Sequence, residues 1–183
     1  MAVRKPKLLD RDGLYEYALR TLGGRAYSLG ELRDKLRRRA AAVEDIDGVL
    51  ARLKDAGYLN DRRFADNFAA ARLENQGFGK GRVLRDLRQH RVAPALAEQA
   101  VQHAFQDTDE VTLIESFLAR KYRGKNLGTF LAEEKNLAAA YRRLRYAGFG
   151  AGTSIRVLKR YASRADELEG LEESGAPEGS DGS

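Results

Sequence analysis

The stretch NQGFGKGRV, residues 75–83, decides how this chain is read. Three glycines at alternate positions with a lysine among them suggest a loop that cradles phosphate, and such a loop would imply an α/β fold. A dinucleotide fingerprint needs a strand before its glycines and a helix after them. Here the preceding segment is DRRFADNFAAARLE (61–74), whose Phe64 and Phe68 recur at helical spacing. A P-loop needs a glycine five residues before its Gly-Lys pair and Ser or Thr after it, but those positions hold Glu74 and Gly81. Gly77 is therefore expected to end a helix in the left-handed region, with Gly79 near the start of the next. The stretch reads as a turn between helices.

Working outward, helical spacing recurs on both sides. Leu29, Leu32 and Leu36 share one face, and Leu113 and Phe117 another. Isoleucines number only three, and clean alternation of apolar and polar residues is absent. Ala, Leu, Arg and Glu dominate, the residues that lose least entropy in a helix. The punctuation agrees. Gly23-Gly24 ends a first helix, and Ser28 with Glu31 at N3 forms a capping box for a second. AGYLND (56–61) closes a third helix at Gly57 and opens the next with Asn60 or Asp61 as N-cap. Pro94 suits the first turn of another, where its missing N–H is no loss.

Three segments align: ELRDKLRRRAAAVEDIDGVL from 31, RVLRDLRQHRVAPALAEQAV from 82 and AAYRRLRYAGFGAGTSIRVL from 139. In each, a Leu-Arg pair closes a basic amphipathic helix, and a turn leads into a second helix. A further helix lies upstream of each, at about 12–22, 61–75 and 110–122. The expected fold is all-α, with three tandem three-helix repeats in an extended, curved array, about nine helices and no sheet. The expected boundaries are a basic N-terminal segment (1–11), repeats at 12–58, 59–106 and 107–165, and an acidic, disordered tail (166–183). Leu36, Ile46, Leu50, Leu87, Leu96, Leu144 and Ile155 should be buried.

Charge is divided unevenly. From Ala165 onward there are seven acids and no Lys or Arg, so removing that −7 from the overall +6 leaves the first 164 residues at +13. A basic body implies a polyanionic partner. The chain has no cysteine, which excludes disulfides and thiolate metal sites. His90 and His103 are read as helix-surface histidines, so no metal and no cofactor is expected. The N-terminus lacks the apolar core of a signal peptide, and no apolar run approaches the ~20 residues of a membrane span. We expect a cytoplasmic protein with no membrane partner.

The pieces SLGELRDKL (28–36), LKDAGYLNDRRFADNF (53–68), QGFGKGRVLRDLRQHRV (76–92) and RRLRYAGFGAGTSIRVL (142–158) together resemble the RecX family of bacterial regulators of the RecA recombinase. The central pair is the most specific: a Gly-Tyr-Leu turn, then Asp-x-Arg-Phe-Ala, then Gly-aromatic-Gly before a basic helix. Asn60 stands where the family usually has a second acid, and Lys80-Gly81 replace a common proline-containing helix entry. The resemblance implies three tandem three-helix units and no enzyme activity. It also implies binding to RecA or to its filament on single-stranded DNA. Restraint of filament extension, ATPase and strand exchange would follow, within recombination, DNA repair and the SOS response. A monomer is expected.

Candidate contact residues are basic. Lys80, Arg82, Arg85, Arg88 and Arg91 lie in one helix with only Asp86 opposing, and Arg37, Arg142 and Arg145 lie in the corresponding helices. Guanidinium forks suit phosphates and acidic surfaces. Among the aromatics, Phe64 and Phe68 are expected in the core, Tyr58 as a staple between repeats, and Phe78 exposed. The paired carboxylates Glu133-Glu134 and Glu172-Glu173 do not converge on one site, because neighbours on a helix point apart; no catalytic residue is expected. The alternative is a sequence-tolerant or helix-turn-helix DNA-binding regulator.

Overall fold

Half of the ten described helices begin where a side chain supplies an acceptor for an orphan amide. Asp10 accepts from Gly13 N–H at the start of α1 (Arg11–Gly24). Ser28 and Glu31 form the expected capping box at α2 (Leu29–Arg37), and α3 follows at Asp45–Asp55. Asn60 accepts from Arg63 N–H at α4 (Asp61–Ala71), which runs on into a π-helical turn at Arg72–Gln76. Beyond it come α5 (Lys80–Gln89) and α6 (Pro94–Ala104), the latter opened by its proline. Asp109 caps α7 (Glu110–Lys121) and Asn126 caps α8 (Leu127–Leu131). Two more helices complete the order, α9 (Glu134–Tyr146) and α10 (Ala151–Leu158).

This computed structural model describes residues 8–162 and Ala165. Among them are ten α-helices and no strand; one isolated bridge pairs Leu9 with Ala40. The helix beyond the expected nine is α8, five residues long, whose Leu127, Phe130 and Leu131 give the apolar period for only one turn. Residues 1–7 and the acidic tail lie outside the described residues.

Two compact units divide the chain. The first holds residues 8–71 and 84–106. Its α1–α3 bury Leu14, Leu32, Leu36, Ile46, Leu50 and Leu53 in one cluster. Each such leucine or isoleucine contributes roughly 1.5–3 kcal/mol when fully withdrawn from water. In the same unit α4 packs on α6, with Ala65, Ala69, Ala97 and Ala100 buried. The second unit holds residues 72–83, 107–162 and Ala165. Its α7, α9 and α10 enclose Ile114, Leu118, Leu137, Leu144, Phe149 and Leu158, and α8 adds Leu131.

Six of the seven residues expected in the core are buried, and Leu96 is only half-buried. Small alanines make the buried face of α6, and the bulky leucine sits beside that seam. Tyr58 is 55% exposed, because Leu59 turns inward in its place. Phe78 is half-buried against the second core rather than exposed. Gly57 and Gly77 do adopt positive φ, 75° and 58°, at their helix ends.

Candidate nucleic-acid interface

The three glycine amides of the stretch are not free to take a phosphate. Gly77 N–H donates to Leu73 O at 2.9 Å, closing the π-helical turn. Gly79 N–H donates to Ala147 O at 2.9 Å and Gly81 N–H to Gly148 O at 3.0 Å. A phosphate cradle needs such amides free and convergent; these are committed to a backbone crossing. The crossing explains the glycines, since a Cβ on Gly79 would lie 2.5 Å from Gly148 O.

The helix that follows carries the basic surface. Val83, Asp86 and Leu87 are the buried side of α5, while Lys80, Arg85, Arg88 and Gln89 are exposed. The one acid of the helix thus faces inward and leaves the solvent face cationic. Among the described residues, Lys80 and Arg85 have no ion-pair partner. Arg88 lies 3.9 Å from Glu98, both side chains well exposed, a pair worth ~0–1 kcal/mol in water. Arg82 is different: it is half-buried, its guanidinium 4.7 Å from the ring centre of Tyr146 and 5.4 Å from that of Phe78. Arg91 lies past the end of α5 at φ 59°, with Nε 3.5 Å from Asp34.

The corresponding arginines elsewhere divide the same way. Arg37 is exposed, 3.9 Å from Asp34 one turn back. Arg142 is exposed and has no ion-pair partner among the described residues. Arg145 donates to Phe149 O at 2.6 Å, closing the turn after α9. Lys80, Arg85 and Arg88 share the solvent face of α5; Arg82, Arg91 and Arg145 also hold local structure.

Sequence reasoning passed over a second group of cations. Arg120, Lys121, Arg123 and Lys125 crowd the end of α7 and the loop after it, all exposed. Their signal was the run ARKYRGK (119–125), which has no counterpart in the three aligned segments and so escaped notice.

His90 departs from the surface reading. Its Nδ1 is 3.0 Å from Glu31, and its ring meets Phe68 edge-on at 4.8 Å and Phe64 at 5.7 Å. Ser28 Oγ donates to the His90 carbonyl, and Asp61 accepts from Leu29 N–H at 2.7 Å. This network ties the start of α2 to the end of α5 and to α4 within the first unit. Burial pushes the Glu31 carboxyl up, but hydrogen bonds from Arg25, His90 and the Ser28 amide outweigh it and leave Glu31 below the ordinary value. The Arg25 guanidinium is raised in turn, chiefly by its bond to Glu31. The Thr112 hydroxyl and amide lower Asp109 at the α7 cap.

Among the described residues, no group of three or more His, Asp or Glu is placed to hold a metal. Glu133 and Glu134 both face solvent, Glu133 accepting from Asn136 at 2.9 Å. Glu172 and Glu173 lie outside the described residues. No described helix is long and apolar enough to cross a membrane.

Comparison with known proteins agrees with this arrangement of helices. Residues 15–53 match the profile of RecX, first three-helix domain, and residues 60–101 that of RecX, second three-helix domain. Regulatory protein RecX of Trichlorobacter lovleyi is 33% identical over 86% of this chain and 92% of its own. That of Mannheimia succiniciproducens is 31% identical over 59% and 69%. The crystal structure of RecX from Lactobacillus salivarius superposes with TM-score 0.63 at 19% identity, covering 82% of this chain and 96% of that one. Identity above 30% over nearly the whole of a relative, with two domain profiles matched in order, places the chain: it belongs to the RecX family of regulatory proteins.

Proposed function

We propose that this chain binds RecA, or RecA filaments on single-stranded DNA, and restrains their extension, ATPase and strand exchange. The observation that carries this reading is the solvent face of α5, where Lys80, Arg85 and Arg88 are exposed while Asp86 is buried. Arg37, Arg142 and Arg145 are its counterparts, and Arg82 and Arg91 flank it while also holding local structure. We take the repeats as residues 12–58, 59–106 and 107–165, acting as a cytoplasmic monomer. Repeats set along a lattice turn weak contacts into avid ones when their spacing fits. A filament offers DNA phosphate and protein surface together. The protein on this reading works by occupying surface and catalyses nothing.

The test is RecA ATPase on single-stranded DNA, titrated with wild type and with Lys80, Arg85 and Arg88 all changed to Ala. The wild type should suppress turnover and the triple variant, folded by circular dichroism, should suppress it far less. Phosphate contacts release counterions, so direct DNA binding should weaken steeply with salt, and losing three contacts should flatten that slope by ~2–3. Full suppression by the triple variant would make α5 a solvated face. Selection of one duplex sequence would point instead to a helix-turn-helix regulator.

A further inference from the structure

We infer that a groove in the second unit, lined by α7, the end of α9 and the Gly77–Gly79 turn, is a stacking subsite for the bases of single-stranded nucleic acid. The inference rests on the filament-binding reading and adds a second mode of contact to it: ring faces beside phosphate charges. The groove has a volume of about 460 Å³, within the roughly 300–1,000 Å³ of ligand sites. Phe78, Phe117 and Tyr146 supply its apolar surface, and Arg120, Lys121 and Arg143 its polar one. No Asp or Glu is among the lining residues.

Two features set this groove apart. The first is Tyr146, the last residue of α9 and, at 67%, the most exposed large apolar side chain among the described residues. Its ring shares the Arg82 guanidinium with Phe78, at 4.7 and 5.4 Å, which gathers two aromatic side chains around one cation. The second is uncompensated charge. Arg120 donates to the Gln76 carbonyl and lies 5.9 Å from the Phe117 ring. Arg143 donates to Tyr122 Oη at 3.4 Å. These partners are neutral, and among the described residues none of Arg120, Lys121 and Arg143 has a carboxylate partner. Three positive charges around exposed ring surface call for a ligand that is both anionic and flat-faced.

A single strand is that ligand. Its phosphates meet the cations while its unstacked bases lie on the rings, and every base has such a face, so no particular sequence is required. A duplex keeps its bases stacked inside and brings only phosphate. An acidic peptide would satisfy the cations and leave the face of Tyr146 unused.

The experiment measures binding of the full chain to labelled oligo(dT), and to an abasic oligonucleotide of equal length, by fluorescence anisotropy. Wild type should bind oligo(dT) more tightly than the abasic strand. Tyr146→Ala, at an exposed position, should keep its circular dichroism. It should weaken oligo(dT) binding about 5- to 150-fold, the range for losing one base-aromatic stack, and leave abasic binding unchanged. Tyr146→Phe should bind as wild type, and a 5-iodouracil strand should crosslink at Tyr146 or Phe78. Equal wild-type affinity for the two strands, or unchanged oligo(dT) binding by Tyr146→Ala, would overturn the subsite. So would a Tyr146→Ala protein that keeps DNA affinity but no longer suppresses RecA turnover; the groove would then hold protein, and the filament reading would survive. Conversely, a base-dependent loss in Tyr146→Ala alongside a wild type that leaves RecA turnover untouched supports the subsite and rejects the filament reading.

Discussion

The tripeptide Gly-Phe-Gly occurs twice, at 77–79 and at 148–150, and the two copies have different fates. Both first glycines adopt positive φ, 58° at Gly77 and 89° at Gly148. Both copies end a helix and lead into another, and α7 reaches both: Arg120 donates to Gln76 O at one, and Glu110 accepts from Gly150 N–H at 2.8 Å at the other. Yet Phe149 is 1% exposed and packs edge-on against Phe117 at 5.4 Å, while Phe78 stays half-buried at a groove. The tripeptide dictates a reversal of the backbone. What surrounds it decides whether its phenylalanine is core or surface.

The sharpest way to break this comparison is to remove each ring. Phe149→Ala should cost about 3–5 kcal/mol, the range for emptying an aromatic core site, and Phe78→Ala distinctly less; urea denaturation of both variants measures the gap. Equal losses would mean that the two turns are equivalent after all. Next comes the backbone. A Cβ on Gly148 would fall inside contact distance of the Arg82 amide and would sit at strained φ, so Gly148→Ala should cost about 3 kcal/mol.

Smaller effects sharpen the picture. Glu110→Ala removes an anionic acceptor from Gly150 N–H and should cost about 1–2 kcal/mol by thermal or urea melting. Gly77→Ala meets only the movable tip of Arg120 at 3.0 Å, so the cost should be the left-handed strain alone, about 1 kcal/mol. Calorimetry on either glycine variant and on wild type should show no micromolar ATP or GTP binding. The smallest effect is a control in the other unit. Glu31 is held below its ordinary value of 4.5. A depressed carboxylate contributes stability that is present above its unfolded value and lost as pH falls through the folded one. Acid titration of stability should therefore steepen below about pH 4.5. Glu31→Gln should remove that part of the slope, and the turn variants should leave it unchanged.

Local chemistry in the sequence was enough for much of this fold. Ser28 with Glu31, Asn60 and Pro94 mark helix starts because each acts within a turn of itself, and Leu36, Leu87 and Leu144 mark the core because a bulky apolar residue recurs with the helix period. What escaped is what that period cannot carry. The α4–α6 seam is made of alanines, whose small side chains give almost no amplitude, so the alignment that sets Leu96 beside Ile46 and Ile155 points to the leucine and not to Ala97. His90 meets Glu31 across 59 positions of sequence, beyond the reach of any spacing rule. The basic helix of the candidate interface was legible as composition. The inward turn of Asp86 was not, and neither was the groove at Tyr146, because both depend on which side of a helix its neighbours cover.

The bond from Leu29 N–H to Asp61 has a consequence for the motions of the first unit. Leu29 is the opening residue of α2, a helix of nine residues, too short to persist alone in water. First-turn amides ordinarily exchange with solvent by local fraying. Here the acceptor sits 32 residues away at the head of another helix. That proton can leave only when the two helix starts part, so its hydrogen-exchange rate should follow the slow opening of the whole unit. The first amide of a short helix becomes one of its slowest clocks.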